Sequence, residues 1–167
     1  MNSPYMGNFK VTQRYNPNYH NGLDLVGIDS KEIHSTVNGT VIYSGWENND
    51  DKYQGFGKYV CIRFTYEGKD AFAYFGHLSE IKVETGQRVN ITDVIGIEGS
   101  TGNSTGSHCH YEVRKGFFKG AEVIDICKFS NIENTVGNIQ NDGYSPSTEP
   151  NYKITKTPNK NEIIITW

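Results

Sequence analysis

The chain reads as an all-β domain with an antiparallel sheet at its core, with room for a second, smaller sheet packed against it. Three features point that way. Glycine is abundant (18 of 167 residues), aromatic residues make up 13%, and Val, Ile, Thr and Tyr recur in short runs. Those runs stop at turn signals. No stretch keeps the 3.6-residue apolar spacing of an amphipathic helix, and no repeat of solenoid length is present.

Taken in order, Phe9 to Tyr15 alternates weakly and meets Asn16-Pro17-Asn18, a turn that delivers Tyr19 and His20. Leu23 to Ile28 is a short strand or loop with Asp24 opposite in direction to Leu23 and Leu25, since Gly22, Val26 and Gly27 disfavour a helix. Val37 to Trp46 reads as a strand interrupted at Asn38-Gly39, and Glu47 to Gly57 as a polar surface loop. Lys58 to Tyr66 has the clearest strand composition, and Glu67-Gly68-Lys69-Asp70 turns it into Ala71 to Phe75. His77 falls just beyond that second strand, where a side chain can face a cleft. Thr85-Gly86-Gln87 marks a turn, and Val94 to Ile97, His108 to Arg114 and Ala121 to Ile126 follow as strands. Past Asn131 the sequence turns to Asn, Gly, Ser, Pro and Thr, which is linker chemistry. The expected division is residues 1–132 as the domain and 133–167 as a linker. Within the linker, 151–157 and 161–167 could pair as a hairpin around Pro158-Asn159-Lys160.

Size and charge set bounds. The length suits one domain with a real core. A net charge of −3 gives no sign of nucleic acid or an anionic membrane as partner. Cys61, Cys109 and Cys127 are odd in number and lack C-x-x-C spacing, so they read as small buried hydrophobes. This stretch has neither a secretion signal nor an apolar run long enough to span a bilayer.

Chemistry concentrates in Ser107-His108-Cys109-His110-Tyr111-Glu112-Val113, which follows the Gly/Ser/Thr/Asn loop from Gly99 to Gly106. On a strand, His108 and His110 share one face while Cys109, Tyr111 and Val113 take the other. An H-x-H pair alone also occurs on solvated strands. The chain has only five histidines, however, and His20 opens His20-Asn21-Gly22-Leu23-Asp24-Leu25. His20, Asp24 and one member of the pair make a two-histidine, one-carboxylate set with a fourth position open, the catalytic pattern for zinc. His34 has no motif partner and reads as an ordinary surface or strand histidine. Glu112, on the face of the pair, reads as a hydrogen-bonding neighbour or a solvated group rather than a fourth ligand. The Gly99 to Gly106 loop lacks the lysine of a phosphate cradle and reads as a groove wall.

The ordered set His20-x-x-x-Asp24, His77 and His108-x-His110 resembles the lysostaphin-type (LytM-like) zinc metallo-endopeptidases of bacterial peptidoglycan. The likeness runs from about residue 9 to 130 and includes Gly55-Phe56-Gly57, His77-Leu78-Ser79, Gly86-Gln87-Arg88-Val89 and the loop before the His pair. It implies one zinc ion held by His20, Asp24 and His110, His77 and His108 as the catalytic pair, and Tyr15 as an extra donor toward the tetrahedral intermediate. The resemblance further implies Gly-rich loops rising into a groove over the zinc site, and a peptidoglycan peptide as substrate. Ser107 and Cys109 replace the usual Pro and Leu, and Phe75-Gly76 puts one residue more than usual between Tyr74 and His77. Peptidoglycan lies outside the membrane, so with no signal here a phage-borne or mobile-element lytic enzyme is expected, made in the cytoplasm and released, or else a fragment of a longer protein. Its linker would lead to a wall-binding or structural module. Another zinc wall hydrolase, such as a carboxypeptidase, or a non-catalytic partner-binding relative are the competing readings. The bond cut and the oligomeric state are not legible in the sequence.

Overall fold

The structure is a computed structural model that describes residues 1–143 in full and, as backbone only, 153–156 and 163–166. Its strands are β1 (Asn8–Gln13), β2 (Leu23–Gly27), β3 (Glu32–His34), β4 (Gly39–Trp46), β5 (Lys58–Tyr66), β6 (Lys69–Gly76), β7 (Glu80–Ile81), β8 (Arg88–Val89), β9 (Val94–Ile97), β10 (Cys109–Arg114), β11 (Val123–Ile124) and β12 (Ile139–Asn141). A large sheet runs in the order β12-β1-β2-β10-β6-β5-β4-β8, with β11 on β10, and a small one in the order β3-β9-β7. Every named strand pair is antiparallel. The all-β expectation, with a smaller second sheet, holds.

The long strands lie where period-2 alternation and β-branched residues put them, and the β5–β6 hairpin turns on Glu67 and Gly68. Both sit at positive φ (51° and 76°), as the two central residues of a type I′ turn require. Inward residues of both sheets make one core in which Phe9, Leu23, Leu25, Ile33, Val41, Ile62, Phe75, Ile95 and Tyr111 are fully buried. Cys61 and Cys109 are buried and Cys127 half-buried, all as free thiols.

Two expectations fail locally. Ala121 to Ile126 is only partly strand. Asp125 accepts hydrogen bonds from the Cys127 and Lys128 amides (3.0 and 3.2 Å) and caps a short helix, α1 (Ile126–Ser130), closed by Asn131 in the left-handed region. The sheet also does not end at residue 132, where composition put the linker. β12 pairs along β1 (Phe9 opposite Gln140), and the side chains of exposed Asn134 and half-buried Asp142 bond to the Tyr15 backbone and to the Ser3 amide. Amide and carboxylate side chains thus serve as straps to backbone, a use that composition does not distinguish from linker polarity. Farther on, Lys153–Lys156 pairs antiparallel with Ile163–Thr166, while 144–152, 157–162 and 167, and with them the expected turn at Pro158, lie outside the described residues. Among the described residues no helix is long and apolar enough to cross a membrane.

Candidate metal centre and groove

The strand face opposite the core opens into a groove of about 970 Å³, and the sequence-selected residues meet in it. Asp24 on β2 and His110 on β10 are direct cross-strand partners. The turn between Asn16 and His20, closed by backbone hydrogen bonds in both directions (2.9 and 2.8 Å), brings His20 alongside. Gly22 permits this approach, because a Cβ there would fall 2.5 Å from the Tyr111 carbonyl and 2.8 Å from His110 Nε2. His20 Nε2 and His110 Nδ1 then lie 3.2 and 2.8 Å from the same oxygen, Asp24 Oδ1.

These three are the His/Asp set that could hold a metal among the described residues, their ligand atoms all within 4.8 Å of one another. A tetrahedral ion with bonds of about 2.1 Å needs ligand atoms about 3.3 Å apart, so small rotations seat it. The outer nitrogens are already committed. His20 Nδ1 donates to the Arg14 carbonyl (2.8 Å), and His110 Nε2 meets Glu112 Oε2 (2.9 Å). That is how metal-binding imidazoles are ordinarily oriented. Burial by itself would raise the Asp24 carboxyl, but the hydrogen bonds from His110 and His20 and the nearby imidazoles outweigh it and hold Asp24 far below the usual carboxylate range. Burial opposes a charged His110, yet its bonds to Asp24 and Glu112 push it up to about 9. The carboxylates that favour a proton there also favour a metal cation.

His77 and His108 form the second half of the cluster, their ring centroids 4.6 Å apart. His77 Nδ1 donates to the Thr101 carbonyl (2.7 Å) and His108 Nδ1 to the Gly106 carbonyl (2.8 Å), which leaves each Nε2 as the lone-pair nitrogen. His108 Nε2 lies 3.5 Å from Asp24 Oδ2. Desolvation presses His77 down to about 4 against the pull of the Thr101 carbonyl, so it is neutral at neutral pH. The extra residue before His77 does not misplace it. The chain turns through a left-handed His77 (φ 62°), a conformation costly for a non-glycine residue and held here by the His77 amide bonding to the Phe56 carbonyl at 2.7 Å.

The loop from Gly99 to Gly106 does form a wall, with Asn103 to Gly106 facing the groove. It crosses the loop after β4 at two left-handed glycines, Gly57 and Gly102, where a Cβ on either would strike the other's backbone at 2.3 or 2.2 Å. Buried Glu98 secures its base, taking hydrogen bonds from Tyr5, the Gly27 amide, Lys31 and Ser107 (2.6, 2.9, 3.0 and 2.5 Å). Ser107, the departure from the family pattern, thereby has a partner of its own. Cys109 faces the core.

Other expectations change. Tyr15 packs against the core and does not line the groove, whereas Thr12 and Gln13, at a register shift between Val11 and Gln13, do. His34 is in a strand but buried, its Nδ1 donating to the Thr92 carbonyl at 2.7 Å. Of the two readings of Glu112, the hydrogen-bonding neighbour holds and the solvated group does not, since the residue is 1% exposed. It bridges His110 and the Arg114 Nε. The loop after β4 is more than surface, as Glu47, Gly55 and Phe56 line the groove and the Phe56 ring stands 5.3 Å from that of His110. Arg114 was not singled out from the sequence, and Phe56 entered only within Gly55-Phe56-Gly57, not as a site residue. The signal for Arg114 was there, because the i, i+2, i+4 alternation that pairs His108 with His110 continues through Glu112 to Arg114.

The sequence and fold have known counterparts. The profile described as Peptidase family M23 matches residues 18–125. The peptidoglycan DD-endopeptidase ShyA of Vibrio cholerae is 34% identical over 103 residues, 62% of this chain but 21% of its own length. The chain spans 30% and 22% of two further curated relatives. Among solved structures, the catalytic domain of the prophage-encoded M23 protein EnpA from Enterococcus faecalis superposes with a TM-score of 0.57 at 25% identity, covering 74% of this chain and 93% of that domain. The catalytic domain of the antimicrobial peptidase lysostaphin from Staphylococcus simulans shares the fold, with a TM-score of 0.58 at 23% identity over 74% of this chain and 90% of that one. With the profile matching well over half its length, across both ends of the His/Asp cluster, the chain belongs to peptidase family M23.

Proposed function

We propose that the protein is a zinc-dependent endopeptidase that hydrolyses peptide bonds in bacterial peptidoglycan, with zinc on His20, Asp24 and His110 and with His77 and His108 as the catalytic pair. The observation that carries this reading is the meeting of all five side chains in one groove, two imidazole nitrogens against one carboxylate oxygen and two more imidazoles beside them. Zinc, when bound, supplies a Lewis acid for the scissile carbonyl and makes water acidic enough to attack near neutral pH. The protein residues do the rest. His108 Nε2 accepts the water proton, and the imidazolium so formed is steadied by Asp24 Oδ2 at 3.5 Å. His77 stays neutral and orients the same water through its Nε2 lone pair. His108 then returns the proton to the leaving amine. The Asn103 to Gly106 wall offers polar backbone and small side chains to an extended peptide.

Peptidoglycan places the site of action outside the cell membrane. The prophage-encoded relative keeps with a phage or mobile-element origin, and further wall-binding or structural modules would sit beyond the linker. Purified protein should contain about one zinc per chain and lose activity in EDTA. Digestion of purified walls of defined cross-link chemistry should release new amino termini, whose identity names the bond. New reducing sugar ends without new amino groups would defeat the proposal.

A further inference from the structure

The groove floor beyond His110 is left unused by this chemistry. The face of β10 that bears His110 continues through Glu112 and Arg114, which lie opposite Tyr74 and Phe72 of β6. A sheet face turned to solvent is ordinarily polar. This one is a pavement of rings, with Tyr74 stacked on Phe117 (6.2 Å, 16°) and tilted against Phe56 (5.8 Å). Phe117 remains 43% exposed, a large apolar surface left open at the groove.

Arg114 sits within this pavement. Its guanidinium carbon is 4.7 Å from the Tyr74 ring and 5.6 Å from that of Phe56, and its side chain is only 14% exposed. Nε is taken by Glu112, whereas among the described residues the two Nη nitrogens have no acceptor. A guanidinium held against two neighbouring rings and lining the groove, with its Nη pair uncommitted, suits bidentate capture of a carboxylate. Lys119 adds positive charge to the same groove. Glu47, the carboxylate on that side, is committed to the Phe56 amide (2.5 Å). Glu112 spans from His110 Nε2 to Arg114 Nε, which puts the guanidinium roughly 7–10 Å from the metal-facing nitrogen, or two to three residues of extended peptide.

We infer that Arg114 and the Phe56–Tyr74–Phe117 shelf form a substrate subsite that selects peptides carrying a free carboxylate two or three residues from the scissile bond. The aliphatic part of the acidic residue lies on the rings and its carboxylate on the Nη edge, so a run of glycines would leave both unused. The inference rests on the endopeptidase reading of this groove and narrows its substrate to acidic peptides.

The test uses two soluble peptides identical except for carboxylate or carboxamide at that position, with the zinc-loaded protein, Arg114→Gln and Arg114→Lys. Wild type should prefer the carboxylate by about 10- to 100-fold in kcat/KM, chiefly through KM. Arg114→Gln should erase the preference with zinc content unchanged, and Arg114→Lys should restore part of it. Equal use of both peptides by wild type would overturn the inference, as would a preference that survives in Arg114→Gln. So would loss of zinc and of both activities together in that variant, which would make Arg114 a mere prop for Glu112. If wild type cuts neither peptide, the endopeptidase reading is what fails. Calorimetric binding of the two peptides to the same proteins then decides the subsite, which stands on Arg114-dependent binding of the carboxylate form and falls on equal or absent binding.

Discussion

The two faces of β10 are buried to the same depth and held there by different means. On the core side Cys109, Tyr111 and Val113 are 0% exposed and held mainly by contact, with a Tyr111 hydroxyl donating to Thr36 at 2.9 Å and the Cys109 thiol to the His110 carbonyl at 3.7 Å. On the groove side His110 and Glu112 are 7% and 1% exposed, and each polar atom of these two side chains has a partner. Burying such groups costs several kcal/mol unless each is satisfied, and well-packed apolar residues would commonly make an equally stable strand. The fold has no need of charges there. Their presence at that depth marks the groove face as the one shaped by chemistry, and substitutions on the two faces should fail in different ways.

The largest effects belong to the groove face. His110→Ala removes a ligand and the bridge to Glu112, so zinc and activity should vanish together. A variant with full zinc occupancy would sink the ligand assignment. His108→Ala and His77→Ala should retain zinc and lose about 10²- to 10⁴-fold in kcat, the usual worth of a positioned acid or base. Metal analysis beside single-turnover rates separates the two classes, and wild-type rates in either variant would move that histidine out of the catalytic pair.

Tyr111→Ala probes the core face. It removes a ring stacked on Phe75 at 5.3 Å and strands the Thr36 hydroxyl, so it should cost about 3–5 kcal/mol, or roughly 10 °C in Tm. Protein that stays folded at low temperature should keep its zinc affinity. Glu112→Gln should behave in the opposite sense. It keeps the shape and loses the charge that pairs with His110 and Arg114, so Tm of the metal-free protein should fall less than in Tyr111→Ala while zinc affinity falls about 10- to 100-fold. Chelator competition measures the second quantity and thermal melts the first. Equal losses in both would erase the distinction between the faces.

How much of this could be read from sequence depends on reach. His20-x-x-x-Asp24 and His108-x-His110 were legible because each motif lies within one turn or strand, and the long strands because five or more alternating residues fix a face. β3, β7 and β8 have two or three residues, too few for a period. Phe56 reaches the site through a loop crossing set by two glycines 45 positions apart in sequence, and Glu98 gathers donors from Tyr5 to Ser107. Such contacts belong to the folded chain, and no local pattern announces them. Tyr15 was carried by the resemblance alone, whereas the alternation of Phe9 and Val11 already put it on the core face, where it packs.

The smallest expected effect lies at the far edge of the sheet, away from both faces of β10. Residues 133–143 contribute backbone bonds along β1, the Gly137 amide to the Val11 carbonyl at 3.0 Å, and side-chain straps from Asn134 and Asp142. Each bond contributes about 0.5–1.5 kcal/mol net, against about 1–2 kcal/mol of backbone entropy for each residue ordered, so the two sums nearly cancel. The surplus comes from covering Phe9 and Val11, both 0% exposed and on the strand that β12 flanks. A chain ending at residue 132 should therefore melt a few degrees below one ending at 143, by about 1–2 kcal/mol, with the zinc content of the folded fraction unchanged. Identical melting curves would return 133–143 to the linker that composition suggested. Loss of zinc from the shorter chain would show instead that β1 transmits the state of its outer edge to Asp24, its neighbour on β2, and that the metal centre is less insulated from the edge than its burial implies.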